Sequence, residues 1–413
     1  MDLNVIKSKK DESAKYMVDE ITNVIQKCGK RDPGSEGEKQ AVEYMAKELE
    51  KYSDEVKIEP FDVHTASFFG WIYISVACMF LSMVTYLLRP IIGIAGPIIA
   101  LVSVIIGIVV MFGQFLFYRE MIDKMFKKRI SHNLTAVKHP TGEVKRRIFF
   151  NGHPDAAYEW TFNYHLGGIG YILHVVSAFV SVVYVFGICL AAVICGIVGV
   201  SEATQNILQI LGYCSLAFVP SLIGMFWMSN SKVIVDGAND NLTGCYMGIA
   251  VLKALKENNI NLENTEVGVI LSGSEEAGLR GAKAWCRAHK DDYKDCETLI
   301  FAYDTIHEGR FLTVNKRDLN MTVKADEKAS ALFKDSADQV GVKCAYGSVP
   351  LGATDSAAFK QGGFKATGIT AMDHNLQDYY HTRRDTIGNL DEKGLADCFE
   401  ASVQALQNYN NEK

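Results

Sequence analysis

Two apolar stretches constrain this chain more than any other feature. Residues 67–118 read "SFFGWIYISVACMFLSMVTYLLRPIIGIAGPIIALVSVIIGIVVMFGQFLFY", interrupted only by Arg89 and Pro90. Each side of that interruption exceeds the roughly 20 apolar residues that cross about 30 Å of hydrocarbon. The second stretch runs from about 167 to 228, with its polar break at "SEATQN", 201–206. Its first leg is long and contains glycines, which reads as one tilted helix rather than two. The expectation is four transmembrane helices inserted as two hairpins, 67–118 and 164–229. As core helices of a water-soluble protein, these runs would need more polar sequence to cover them than the chain provides.

Flanking charge orients the spans. "REMIDKMFKKR" at 119–129 carries five Lys or Arg, whereas the two connecting loops offer Arg89 and Glu202. The positive-inside rule then puts the polar parts in the cytoplasm, and an even number of spans keeps them on one side. The N-terminal thirty residues are polar and lack the apolar core of a signal peptide. A multi-pass plasma-membrane protein with its polar domain facing the cytoplasm is expected, in contact with the lipid bilayer. Ten scattered cysteines without a CxxC pair suit reduced, mostly buried thiols. A net charge of −6 gives no electrostatic footprint for nucleic acid. Nothing in the sequence fixes the oligomeric state.

With the hairpins removed, residues 1–66, 119–163 and 230–413 read as one discontinuous α/β domain. Helical periodicity covers 11–28 and 36–52, separated by the turn "RDPGSEGE" with Pro33, Gly34 and a Ser35 cap signal. "DEVKIEPFDV" alternates as a strand, and "HNLTAVK" with "RRIFFNG" reads as a strand pair around "HPTGE". A helix from about Leu242, the strand "TEVGVILSG", a helix after Gly278, the strand "ETLIFAYD" and a helix from Glu392 follow. Strands alternating with helices predict a layered sheet with helices on both faces.

Five short stretches carry candidate chemistry, four of them at strand ends, where open α/β sheets bind ligands. They are "NGHPDAA" (His153, Asp155), "DGANDNLTG" (Asp240), "SGSEEAG" (Glu275, Glu276), "AYDT" (Asp304) and "YYHTRRDT" (His381). Two imidazoles and several carboxylates without cysteine form the ligand set of a hydrolytic zinc site. His153 and Asp155 are two apart, so an extended backbone points both to one side, where one can bind metal while the other fixes the imidazole. Asp240, in a glycine-flanked turn, has two oxygens with which to bridge two cations. Adjacent Glu275 and Glu276 diverge in a turn, so that one can be a ligand and its neighbour a proton carrier. Taken singly, each stretch has a bland reading: a solvated helix start for the paired glutamates, a capped loop for HxD, a strand-end acid, a surface histidine. Their number and their placement after apolar strands set them apart.

Outside the hairpins these residues resemble metallopeptidase family 28, the co-catalytic zinc aminopeptidases and their relatives. "RDPGSEGEKQAVEYMAKEL" is similar to the family's opening, and "GANDNLTG", "SGSEEAGLRGA" and "YYHTRRDT" resemble its most specific motifs. The resemblance implies a three-layer αβα peptidase domain with a mixed central sheet and two zinc ions bridged by Asp240. It assigns His153 and Asp304 to one ion and Glu276 and His381 to the other. Asp155 would orient His153, Glu275 would be the general base, and Tyr380 is a candidate to stabilise the oxyanion. Three positions depart from the pattern: Ser356 where histidine is common, Pro154 inside HxD, and Asn239 where a second acid is frequent. The function implied is a membrane-bound zinc aminopeptidase acting on peptides. Glutaminyl cyclase, carboxypeptidase and a non-catalytic receptor or scaffold on the same fold are the alternatives.

Overall fold

Runs dominated by aliphatic and aromatic residues, such as Ile148 to Phe150, Val267 to Leu271 and Leu299 to Ile306, become strands buried on both faces. The computed structural model describes residues 3–373 and 375–412. It divides into two compact units: Met1–Thr65, Lys127–Glu159 and Ser231–Lys413 form the first, Ala66–Phe126 and Trp160–Asn230 the second.

The first unit is built on an eight-stranded mixed sheet. Its strands are β1 (Glu55–Val63), β2 (Arg129–Lys138), β3 (Arg146–Gly152), β4 (Thr265–Leu271), β5 (Glu297–Ile306), β6 (Thr313–Asn315), β7 (Ala345–Gly347) and β8 (Lys365–Ala371). The order across the sheet is β1-β2-β4-β3-β5-β8-β6-β7. β4, β3, β5 and β8 run parallel to one another, so their C-terminal ends share one edge. β1 closes the opposite flank antiparallel to β2, and its exposed Glu55, Lys57 and Asp62 mark it as an edge strand.

Neighbouring residues of β3 show how both faces are covered. Phe150 joins the core shared with Tyr246 and Ile249 of the helix Thr243–Glu257, which also takes in residues of Lys10–Cys28 and Glu392–Asn410. Phe149 points the other way, its ring 6.1 Å from that of Trp285 on the helix Arg280–His289. The helix Glu36–Leu49 starts at Ser35, whose hydroxyl accepts the Glu38 amide at 3.1 Å.

One sequence expectation is corrected here. β2 and β3 do not pair, because β4 lies between them, antiparallel to β2 and parallel to β3. The intervening turn is held by the segment entering β4. Thr141, Gly142 and Lys145 donate their amides to the carbonyls of Leu262, Glu263 and Asn264 at 2.8–2.9 Å. A turn whose amides are taken up from outside does not close a hairpin.

The second unit holds four helices long and apolar enough to cross a membrane: Ser67–Leu87, Ala95–Leu116, Thr161–Val198 and Glu202–Trp227. Thr161–Val198 is broken at Gly167, whose φ of 68° and ψ of 177° leave the helical region, so the long apolar helix begins beyond it. Hydroxyls tie the helices together: Ser75 Oγ donates to Gly107 O at 2.9 Å, and Tyr86 OH to Leu208 O at 2.9 Å. Residues 119–126, expected with the α/β domain, fall in this unit. The reason is a buried polar knot, in which Asp123 Oδ1 accepts from Ser67 Oγ and from Gln114 Nε2, both at 2.8 Å.

Candidate metal centre

The stretches at the C-terminal edge of the parallel strands converge. Gly152 ends β3 where a Cβ would lie 2.4 Å from the Cys245 amide, so the start of the helix Thr243–Glu257 packs directly onto it. That close approach brings the Asp240 turn beside His153. Gly237 opens this turn with φ of 59°, a left-handed conformation that a side chain disfavours. The Asp240–Asn241 peptide is cis.

Asp240 stands between the two imidazoles. Its Oδ1 lies 3.4 Å from His153 Nε2 and its Oδ2 lies 3.0 Å from His381 Nε2. His381 Nε2 is also 3.4 Å from Glu276 Oε1. Ligand atoms of His153, Asp240 and Asp304 all lie within 4.8 Å of one another, and so do those of Asp240, Glu276 and His381. Two clusters therefore share one carboxylate. A third grouping, His153 with Glu275 and Glu276, meets the same limit, with Glu275 Oε2 3.8 Å from His153 Nε2.

The paired glutamates are held by their backbone. Asp155 accepts the Glu275 amide on one carboxylate oxygen and the Glu276 amide on the other, each at 3.0 Å. His153 Nδ1 lies 3.2 Å from the Asp155 main-chain carbonyl and 3.4 Å from its carboxylate. Asp155 thus touches both sides of the site. Thr305 Oγ1 donates to Asp304 Oδ1 at 2.9 Å. Tyr380 is half-buried and stacks on His381 with ring centroids 4.2 Å apart. Ser274, Leu279, Thr305 and His381 all have positive φ near 50–60°, a clustering of unfavourable backbone that is common at functional sites.

The electrostatics of the cluster suit a cation. Burial, offset in part by His381, pushes Glu276 up to about 7. Burial and the neighbouring acids raise Glu275 and Asp304 well above the usual carboxylate range, though His153 pulls both down. Burial opposes the His381 imidazolium, yet Glu276 and Asp240 lift it to about 9. Carboxylates outnumber imidazoles in a buried space, and a divalent cation would relieve that imbalance. His153 Nε2 and Glu276 Oε1 are buried with no hydrogen-bond partner among the described residues. Buried polar atoms are rarely left so. Nitrogen and oxygen ligands without sulfur suit zinc, so the residues present fit the ion that the motifs imply.

Some contributors escaped the sequence reading. Asp385, four residues beyond His381, is fully buried and accepts from Asn239 N at 2.9 Å, Asn239 Nδ2 at 2.8 Å and Asp240 N at 3.1 Å. It fixes the backbone that carries Asp240. This also gives Asn239 a physical reason, because an amide donates to Asp385 where a second acid would repel it. Glu159, buried beside β3's exit, takes Arg383 in a two-point ion pair at 2.6 and 2.7 Å and so anchors the His381 loop. Ser356 turns its hydroxyl to Asp318 at 2.6 Å and is 2% exposed. Within the stretches quoted, Asp385 was visible as a letter but nothing local marked its partner.

Residues 226–406 match the family model of peptidase family M28. No curated protein matches the sequence. Among solved structures, a zinc aminopeptidase from Bacillus subtilis superposes with a TM-score of 0.56 at 12% identity, over 97% of this chain and 96% of the other. An aminopeptidase from Aneurinibacillus sp. strain AM-1 gives 0.54 at 14%, over 96% and 94%. A glutaminyl cyclase from Bacteroides thetaiotaomicron gives 0.52 at 13%, over 98% of each. The chain thus shares the fold of these solved structures, and its residues 226–406 are similar to peptidase family M28.

Proposed function

We propose that the protein is a membrane-bound aminopeptidase using two zinc ions, one held by His153, Asp240 and Asp304, the other by Asp240, Glu276 and His381. The observation that carries this reading is the division of Asp240 between two imidazoles, one oxygen toward each. When bound, the ions would polarise the scissile carbonyl and acidify the attacking water. Glu275, 8% exposed and beside His153, accepts the water's proton and returns it to the leaving amine. Asp155 holds Glu275 and Glu276 at their amides, and Tyr380, stacked on His381, serves as the donor for developing negative charge.

Cyclisation of N-terminal glutamine is the second reading, favoured by the cyclases among the structural neighbours. The doubled ligand set supports hydrolysis over it. The apolar unit supports membrane residence: Ile91, Ile169, Ile197 and Val198 are each more than 70% exposed, which water would penalise. Two hairpins through the bilayer, with the α/β unit on the cytoplasmic side by the positive-inside rule, complete the reading.

The test uses purified full-length protein supplied with zinc, beside Glu275→Gln. Cleavage of peptides with free N-termini but not of N-acetylated ones is expected, with turnover in the variant lower by about 10²–10⁴-fold and zinc content unchanged. Ammonia release from N-terminal glutamine without peptide cleavage would replace the aminopeptidase with the cyclase.

A further inference from the structure

The site as described leaves the turn "RDPGSEGE" at 31–38 without a role, although two of its side chains are completely buried. We propose that this turn is the positioning segment of the metal centre: Arg31 locks the His153 and Asp240 loops to each other, and Glu38 locks the turn carrying Glu275 and Glu276. The inference rests on reading the site as a zinc centre.

Arg31 is 0% exposed, a placement that is costly for a guanidinium unless its N–H groups are used. Its Nε donates to Pro154 O at 2.8 Å, and its Nη2 to Asp236 O at 2.6 Å and Gly237 O at 3.2 Å. Pro154 lies between His153 and Asp155, and Gly237 opens the Asp240 turn. One planar fork therefore joins two ligand loops through main-chain carbonyls. The backbone of the turn takes part as well, since Arg31 O accepts the Ala156 amide at 3.0 Å. A Cβ on Gly237 would come within 3.0 Å of Arg31 Nη2 and 2.6 Å of Asp240 O, so the contact is as close as the chain permits. Lysine carries one compact ammonium and cannot reproduce a fork that spans both loops.

Glu38 holds the third loop. Its Oε1 accepts Ser274 N at 2.5 Å and Ser274 Oγ at 3.1 Å, while its Oε2 accepts Gly34 N at 2.8 Å. Ser131 Oγ reaches both oxygens at 3.0 and 3.1 Å. Ser274 directly precedes the paired glutamates, whose amides are taken by Asp155. Three consecutive main-chain donors are thus gripped by two buried carboxylates. This fixes the divergence of Glu275 from Glu276. A glutamine at 38 would turn an amide NH₂ against these donors, because it offers one acceptor oxygen where glutamate offers two.

The experiment uses the full-length protein, with Arg31→Lys and Glu38→Gln beside the parent. Zinc affinity is measured by competition with a chromogenic chelator, and the thermal midpoint is measured on metal-free protein. The expected result is zinc binding weaker by about 10–100-fold in each variant, with metal-free midpoints within about 3 °C of the parent. In Glu38→Gln, kcat is expected to fall while KM holds. Parent-like zinc affinity in both variants overturns the inference, and so does a zinc loss matched by an equally large fall in metal-free stability, which marks an ordinary folding role. If Arg31→Lys does not accumulate folded, Glu38→Gln decides on the same criteria. A parent that binds no zinc overturns the proposed function and this inference together, whereas parent-like variants overturn this inference alone.

Discussion

In the α/β unit ionisable side chains are drawn inward: Arg31, Glu38, His153, Asp155, Asp240, Glu275, His381 and Asp385 are all buried. In the helical unit, among the described residues, buried polarity is mostly serine, and Asp123 is the one buried carboxylate. The difference shows what each surrounding can compensate. A hydroxyl on an apolar helix satisfies itself on a neighbouring carbonyl, as Ser75 and Ser103 do, and asks nothing of its environment. A buried carboxylate needs donors or a cation. Around Asp240 the donors run out, and a metal ion would satisfy the remaining demand. Inward charge is therefore the mark of the α/β unit, and its scarcity the mark of the apolar helical unit.

Substitutions in the two units should separate in size. Asp240→Ala removes the residue common to both clusters, and loss of both zinc ions with at least about a thousandfold loss of turnover is expected, measured by metal analysis and initial rates. Asp385→Asn leaves the ligands intact but weakens the acceptor that holds Asn239 and Asp240, so zinc affinity or activity should fall by about 10–100-fold, read by chelator competition. The smallest effect belongs to the helical unit. Ser75→Ala should cost about 0.6 kcal/mol and leave cleavage of short soluble peptides unchanged. A large loss of activity there would break the contrast between the units.

Acidity sharpens the same contrast between those two extremes. Burial raises Asp385 to about 7 in the fold, against an unfolded value of roughly 4. A folded state that holds its proton more tightly is favoured below the unfolded pKa, and that advantage is lost as pH rises through the folded pKa. Metal-free protein should therefore lose stability between about pH 4 and 7, by several degrees in thermal midpoint. Zinc should reverse the trend at pH 8, because the ions favour ionised ligands.

Features carried by length or by neighbouring letters were legible in the sequence. The four apolar helices followed from their length, and the strands ending at Gly152 and Leu271 from their unbroken apolar runs. The stretches with His153, Asp240, Glu275, Glu276 and Asp304 stood out because each follows a strand or a glycine turn, and His381 by its motif alone. Distant pairing was not legible. β4 enters between β2 and β3 from more than a hundred residues away, and no local pattern around "HPTGE" records it. Arg31 bonds to carbonyls 123 and 205 residues further on, partners with no side-chain identity to read. The break at Gly167 likewise depends on a backbone angle that many helical glycines do not adopt.

The most direct test of the central claim is a calorimetric titration of zinc into metal-free, full-length protein at pH 7.5. Two ions per chain in the parent and none in Asp240→Ala are the result predicted by a carboxylate shared between two clusters. A single ion that persists without Asp240, or no binding at all, would contradict it.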